Sequence, residues 1–234
     1  GGIIMQERKK ISINKKSGNK LKKQQASKKI FEALRLEISL GLLKPRERLI
    51  EQELCVKFDA SNHNIRQAFD LLDRVGLVCR KANCGVVVRA IDHKELNDLY
   101  NVRLILQREG VRALDLSNSN ELVIKLSEIN RCFKIAIDDK NHENMIKENE
   151  KFHMLIYEYC LNKELSELLH TYWLKASAIT SHGLNDEEYM LQSIADHENI
   201  ITAIKRGNLE QLIQVSVEHI RPAVELYKIT YGLD

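Results

Sequence analysis

The chain has 234 residues, 44% of them hydrophobic and 29% charged, and a net charge of +3. That length allows two modest domains, each burying its own core. No apolar run reaches the ~18 residues of a membrane helix. Gly1 to Met5 is too short for a signal sequence and meets charge at once, so the expected setting is the cytoplasm, with no membrane partner. Five cysteines, Cys55, Cys79, Cys84, Cys132 and Cys160, form no C-x-x-C pair, which argues against a disulfide framework or a zinc ribbon.

The net charge hides a gradient. Residues 1 to 29 hold ten Lys/Arg and one acid, residues 30 to 91 ten and eight, and residues 92 to 234 sixteen and twenty-four. A lysine-rich N-terminus binds polyanions through counterion release, which is blind to sequence; a solubilising tail has the same composition. The expected division is a basic tail over residues 1–25, a first domain over 26–91 and a second over 92–234.

From Ser27 the pattern becomes helical, with Ile30, Phe31, Leu34 and Ile38 on one stripe and Gly41 as a C-cap before the Pro45 turn. Leu54, Phe58, Ile65, Phe69, Leu72 and Val75 then fall at helical spacing on both sides of the break Asp59-Ala60-Ser61, so two short helices can share a small core. Ser61 is a good N-cap. Asn62, His63, Asn64, Arg66 and Gln67 occupy the first turns, where a recognition helix faces base edges. A helical hairpin in an ordinary α-domain has the same local pattern. Beyond Gly76, Leu77-Val78-Cys79-Arg80 reads as a strand, Lys81 to Gly85 as a turn, and Val86-Val87-Val88-Arg89 as its return. Three helices and a hairpin make a winged helix, with Arg80, Lys81, Asn83 and Arg89 placed to meet a DNA backbone or minor groove.

These residues resemble the GntR family of transcription regulators. Gly41, Pro45, Glu47-Arg48-Leu49, Glu53-Leu54, Ser61, Ile65-Arg66, Ala68, Gly76-Leu77-Val78, Gly85 and Val88 follow the family's signature in order over about sixty residues. The resemblance implies DNA contacts from Gln52, Ser61, Asn62, His63, Asn64, Arg66, Asn83 and Gly85. Asn62 stands where the family has its first recognition-helix arginine, Arg46 where it has a glycine, Gln67 where it has a glutamate, and Cys84 where the wing has an arginine. Of the usual arginines Arg66 remains. One bidentate arginine–guanine contact is worth ~1 to 3 kcal/mol of discrimination, so the operator is expected to differ from the family's usual one.

From Asp92 onward six helical segments are expected: Asp92–Leu116, Asn120–Asp138, His142–Cys160, Lys163–His182, Glu187–Arg206 and Leu209–Lys228. Short polar breaks separate them, as in an antiparallel bundle. The fold class is therefore mainly α, an N-terminal winged helix-turn-helix followed by a C-terminal all-α bundle. Asn149 and His153 share one helix face, and His197 and His219 lie on two further helices. Taken singly, each histidine has the surroundings of an ordinary surface or core residue; together they make a metal cage only if the fold joins them.

This half resembles the FCD effector domain of one GntR branch, of the smaller, VanR-like, six-helix type. Asn149-x-x-Phe152-His153, Asp196-His197 with Ile200, Ala203-Ile204 and Gly207-Asn208, and His219 match its metal motif. The resemblance implies a divalent ion, zinc or nickel, on Asn149, His153, His197 and His219. Arg103 matches an arginine that would partner the carboxylate of a small organic acid. A neutral Asn149 implies a weaker metal site that depends more on the effector. His170 and His182 match nothing and read as surface residues.

The function these features imply is a homodimeric repressor reading a palindromic DNA operator and responding to a small carboxylate. Two alternatives compete. One is a ligand-binding or interaction protein that has lost specific DNA recognition, motivated by Asn62 and Cys84. The other is a metal hydrolase, disfavoured because Glu148 and Glu150 point away from the face of Asn149 and His153.

Overall fold

The structure is a computed structural model that describes residues 25–233. The basic segment expected as a tail lies outside the described residues but for its last residue. Two compact units emerge, one holding the residues up to Glu37 together with Leu43–Arg89, the other Ile38–Leu42 and Ala90 onward.

Helix α1 spans residues 25–39, its last two belonging to the second unit, and the expected stripe is buried: Ile30, Phe31 and Leu34 in the first unit, Ile38 in the second. Helices α2 (Glu51–Phe58) and α3 (Asn62–Arg74) follow. Asp59 closes α2 in the left-handed region at φ 46°, and the Ser61 side chain accepts from the Asn64 amide to open α3, as an N-cap should. Leu54, Ile65, Phe69 and Leu72 are buried as expected, whereas Phe58 and Val75 are only half-buried at the helix ends.

The hairpin forms from β2 (Val78–Lys81) and β3 (Gly85–Val88), with Val78 opposite Val88 and Lys81 opposite Gly85. A third strand, β1 (Arg48–Leu49), pairs antiparallel with β3 and gives the order β1-β3-β2. Two residues are too few to show an alternating pattern. The partner makes the strand: Arg46 and Val88 amides donate to Val88 and Glu47 carbonyls across the pair. At the hairpin tip Asn83 (φ 62°) and Gly85 (φ 74°) take the left-handed conformation a tight turn requires.

The second unit is all helical: α4 (His93–Arg112), α5 (Ser119–Asp138), α6 (His142–Glu158), α7 (Lys163–Lys175), α8 (Ser177–Gly183), α9 (Glu187–Arg206), α10 (Leu209–His219) and α11 (Arg221–Tyr231). Among the described residues eight segments stand where six were expected, because two long helices are broken. The break between α10 and α11 has a clear cause: Pro222 lacks an N–H and opens a helix far more readily than it continues one. The break at Ala176, between α7 and α8, carries no such residue. Elsewhere the caps are conventional. Asp92 forms a capping box with Glu95, and Asn141, Asn162, Asp186 and Asn208 each accept a backbone N–H at a helix start.

Helices α5, α6, α7, α9 and α10 enclose one core built on Leu122, Leu126, Phe152, Trp173, Ile200 and Ile204. A smaller cluster joins Leu96 and Tyr100 of α4 to Ile179 of α8 and to Val224 and Tyr227 of α11. No described helix is long and apolar enough to cross a membrane. Burial separates two neighbours on α5, since Leu126 is fully enclosed and Ile124 is 70% exposed. Leu126→Ala should therefore cost roughly 2–5 kcal/mol of unfolding free energy. Ile124→Ala should stay within about 0.5 kcal/mol of the parent, both read by urea titration; equal losses would contradict this placement of the core.

Candidate functional site

On the first unit the predicted DNA-facing residues are mostly open. Gln52, Ser61, Asn62, His63, Arg66, Asn83 and Gly85 are exposed, and Asn64 is half-buried with its Oδ1 enclosed and without a donor among the described residues. Gln67 is half-buried and accepts from the Ser27 hydroxyl at 2.7 Å, which ties α3 to α1. On the hairpin, Arg80 pairs with Asp70 of α3 at 2.7 Å, while Lys81 and Arg89 are exposed. The five cysteines are all free thiols; Cys84 sits exposed in the wing turn and Cys79 lies opposite Val87.

The second unit gathers its polar residues inside. On α4 the buried stripe runs Leu96, Tyr100, Arg103, Gln107, Gly110, so an arginine and an amide interrupt an apolar series at helical spacing. Helix α6 buries Asn149 and His153 among Met145, Phe152 and Ile156, α9 buries His197 above Ile200, and α10 ends on buried His219. The ring nitrogens of His153, His197 and His219 lie within 4.8 Å of one another. Two of them, His153 Nε2 and His219 Nε2, are 3.2 Å apart. Buried Asn149 sits one turn before His153 on the same face of α6.

Hydrogen-bond partners fix how the rings are turned. His219 Nδ1 lies 3.0 Å from Asp196 Oδ2, and His197 Nδ1 lies 3.0 Å from Asn130 Oδ1. Carboxylate and amide oxygens only accept, so both Nδ1 atoms carry the proton, and His197, held neutral by burial, presents a lone pair at Nε2. His197 Nε2 has no partner among the described residues, nor does His153 Nδ1. Phe152 stacks on His197 at 3.8 Å between ring centroids, and Trp173 covers His153 at 4.5 Å.

Arg103 adjoins this cluster. Its guanidinium lies over the rings of Tyr100 and Trp173, 5.0 and 5.6 Å from their centroids, and reaches the Thr180 hydroxyl at 3.4 Å. Its residue is 4% exposed, and no carboxylate pairs with it among the described residues. Beside it Tyr157 donates to Gln107 Oε1 at 2.8 Å. Burial raises the Tyr157 phenol to about 12, against the opposing pull of Arg103, so it remains a donor at neutral pH.

Sequence reasoning passed over Asn130, Tyr157, Trp173 and Thr180, and quoted Asp196 without giving it a task. The available signal was a polar residue standing in an apolar stripe, as Asn130 does among Leu122, Leu126 and Phe133. His182, read as a surface residue, is only partly so: its Nε2 lies 2.8 Å from the Thr230 hydroxyl.

Burial holds His153 far below the ordinary histidine range, helped by His219, His197 and Arg103, and it does the same to His197, helped by His219. For Asp196, half-burial pushes the carboxyl up, but the bonds from His219 and Gln192 outweigh it, and the net direction is down. The two imidazoles stay neutral in the folded state and protonate in the unfolded chain below about pH 6.5. The unfolded state then binds more protons, so stability falls as pH drops through that value, by up to ~1.4 kcal/mol per pH unit for each ring. Urea midpoints of metal-free protein should therefore decline between about pH 7.5 and 5.5, and less steeply in His197→Gln. Identical pH dependence in parent and variant would contradict the neutral assignment.

Comparison with known proteins gives this geometry a context. The profile described as bacterial regulatory proteins, gntR family, matches residues 26–88, and that of the FCD domain matches residues 98–222. An HTH-type transcriptional regulator of Bacillus subtilis, YdhC, is 26% identical over 202 residues, spanning 85% of this chain and 89% of its own. The gluconate operon transcriptional repressor of Bacillus licheniformis is 31% identical over 123 residues, covering 53% of this chain and 50% of the relative. Among solved structures, E. coli McbR/YncC superposes with a TM-score of 0.72 at 19% identity, covering 88% of this chain and 98% of that one. The crystal structure of a GntR regulator from a Rhodococcus species gives 0.68 at 20%, covering 88% and 96%. Those two likenesses establish the fold. With the FCD profile alone matching more than half of its length, the chain belongs to the GntR family of bacterial transcription regulators, DNA-binding proteins and not enzymes, and carries an FCD domain.

Proposed function

We propose that this protein is a metabolite-responsive repressor: a homodimer whose winged helices read a palindromic operator, released or engaged when a small carboxylate enters the helical unit. The observation that carries the sensor is the meeting of three imidazoles with a buried guanidinium that has no carboxylate partner among the described residues.

The chemistry of the pocket fits a divalent cation. Zinc binds imidazole nitrogen at ~2.0–2.1 Å, which puts neighbouring ligand nitrogens roughly 3 to 3.4 Å apart; the His153–His219 separation of 3.2 Å lies in that range. The enclosed lone pair of His197 Nε2 and the unmatched Nδ1 of His153 are polar atoms a dry core does not tolerate without a partner. His153, His197 and His219 would hold the ion, with Asn149 adding an amide oxygen. When bound, the metal supplies positive charge that attracts a carboxylate oxygen.

What the chain's own residues then do follows from their chemistry. Asp196 and Asn130 hold two imidazoles in the ligating tautomer, the outer-shell arrangement common at histidine metal sites. Arg103 offers a planar fork of donors to a carboxylate, and a buried cation without a counter-ion costs several kcal/mol, which an incoming anion relieves. Trp173 and Tyr100 exclude water above it, and Gln107 with Tyr157 provides polar edges for the remainder of the ligand.

The test is thermal melting of the full chain with a panel of small carboxylates, with and without zinc or nickel. At about a hundred times its Kd a ligand adds ~2.7 kcal/mol, a rise of roughly 5 to 10 °C for a unit of this size. One carboxylate should give that rise with metal in the parent and none in Arg103→Ala. Failure of every carboxylate, with or without metal, would overturn the sensor.

A further inference from the structure

The exposed face of the recognition helix α3 is held by side chains of α2. Arg66 Nε donates to both carboxylate oxygens of Glu51, at 2.9 and 3.1 Å. Glu51 is the first residue of α2, and one turn later Cys55 donates its thiol proton to Asn62 Oδ1 at 3.1 Å. Asn62 precedes Arg66 by one turn of α3, so positions 51 and 55 of one helix grip positions 66 and 62 of the next.

Stability does not explain the ion pair. Arg66 is 65% exposed at its side chain, and exposed pairs contribute little. Its geometry is more telling. Both Glu51 oxygens fall on Nε, and the two terminal nitrogens of the guanidinium have no hydrogen-bond partner among the described residues. Those two nitrogens are coplanar donors, the arrangement that O6 and N7 of guanine accept. A carboxylate on Nε fixes the plane of the guanidinium and leaves its outer end free.

We infer that Glu51 is a specificity-determining residue, which positions Arg66 to read one guanine by holding its Nε. This rests on Arg66 being the base reader. Cys55 acts in the opposite sense on Asn62: its thiol takes one of the two lone pairs of Oδ1, the atom that would accept from adenine N6, and so competes with base reading where Glu51 supports it. Guanine at the Arg66 position is therefore the base choice this helix face imposes most strongly.

Selection from random duplex DNA at physiological salt, using the full chain and its Arg66→Ala, Glu51→Ala and Glu51→Gln variants, tests the inference. Each half-site is then titrated with the guanine replaced. The parent should enrich a palindrome and prefer guanine at one position about tenfold to a hundredfold. Arg66→Ala should lose that preference alone. Glu51→Ala, with an unchanged melting temperature, should lose roughly tenfold of it at the same position, and Glu51→Gln, which keeps an acceptor for Nε, should retain most of it. An intact preference in Glu51→Ala overturns the positioning role, as does tighter operator binding without change in base choice, which would make Glu51 a mask. If Arg66→Ala itself leaves every preference unchanged, the reader is wrong and Glu51 falls with it.

Discussion

An imidazole sealed inside a helical core is stable only while it is neutral and its ring nitrogens have partners. The centre of the second unit meets the first condition and only partly the second. Burial and the mutual proximity of the rings hold His153 and His197 neutral. Asp196 and Asn130 occupy one nitrogen on each of two rings. What remains is a set of imidazole nitrogens within 4.8 Å of one another, next to a guanidinium enclosed by aromatic rings. On the proposed function, a metal ion with a bound carboxylate would supply the partners that such a cluster lacks. On the same proposal, because each contributor sits on its own packed helix, α4, α6, α9 or α10, a ligand that shifts one of them would move its neighbours as well.

Much of this was visible in the residues. The stripes of α1, α3, α5 and α9 follow helical spacing, and the caps at Ser61, Asp92 and Asn208 are where such residues stop competing with the helix and start serving it. The histidines were singled out in the sequence, but read singly they looked ordinary, and their grouping as a site came from the family resemblance. Their convergence was not legible, since it depends on how α6, α9 and α10 pack. Asn130 was missed because an amide in a charged, amphipathic helix draws no notice until its neighbours are known. Likewise β1 exists only through pairing with Val86 and Val87, and the break at Ala176 has no residue that announces it.

The two units work by opposite physics. In the bundle, charge and hydrogen-bonding groups are enclosed, so each unmatched atom costs a great deal and demands a specific partner. On the winged helix the residues expected to face DNA are mostly exposed, and contacts from such groups are individually weak and adjustable by salt. On the proposed reading, specificity there would come from orientation, as with the guanidinium of Arg66 held at Nε by Glu51. Departures from the family signature at Asn62 and Cys84 are expected to change which edges are read, while the scaffold that presents them has its Ser61 cap and its buried Ile65, Phe69 and Leu72 in place.

X-ray absorption at the metal edge of protein loaded with one equivalent of zinc tests the central claim most directly. The account predicts three imidazole nitrogens at ~2.0–2.1 Å, with one lost in His197→Ala. A spectrum of oxygen scatterers alone, or one that His197→Ala leaves unchanged, would contradict it.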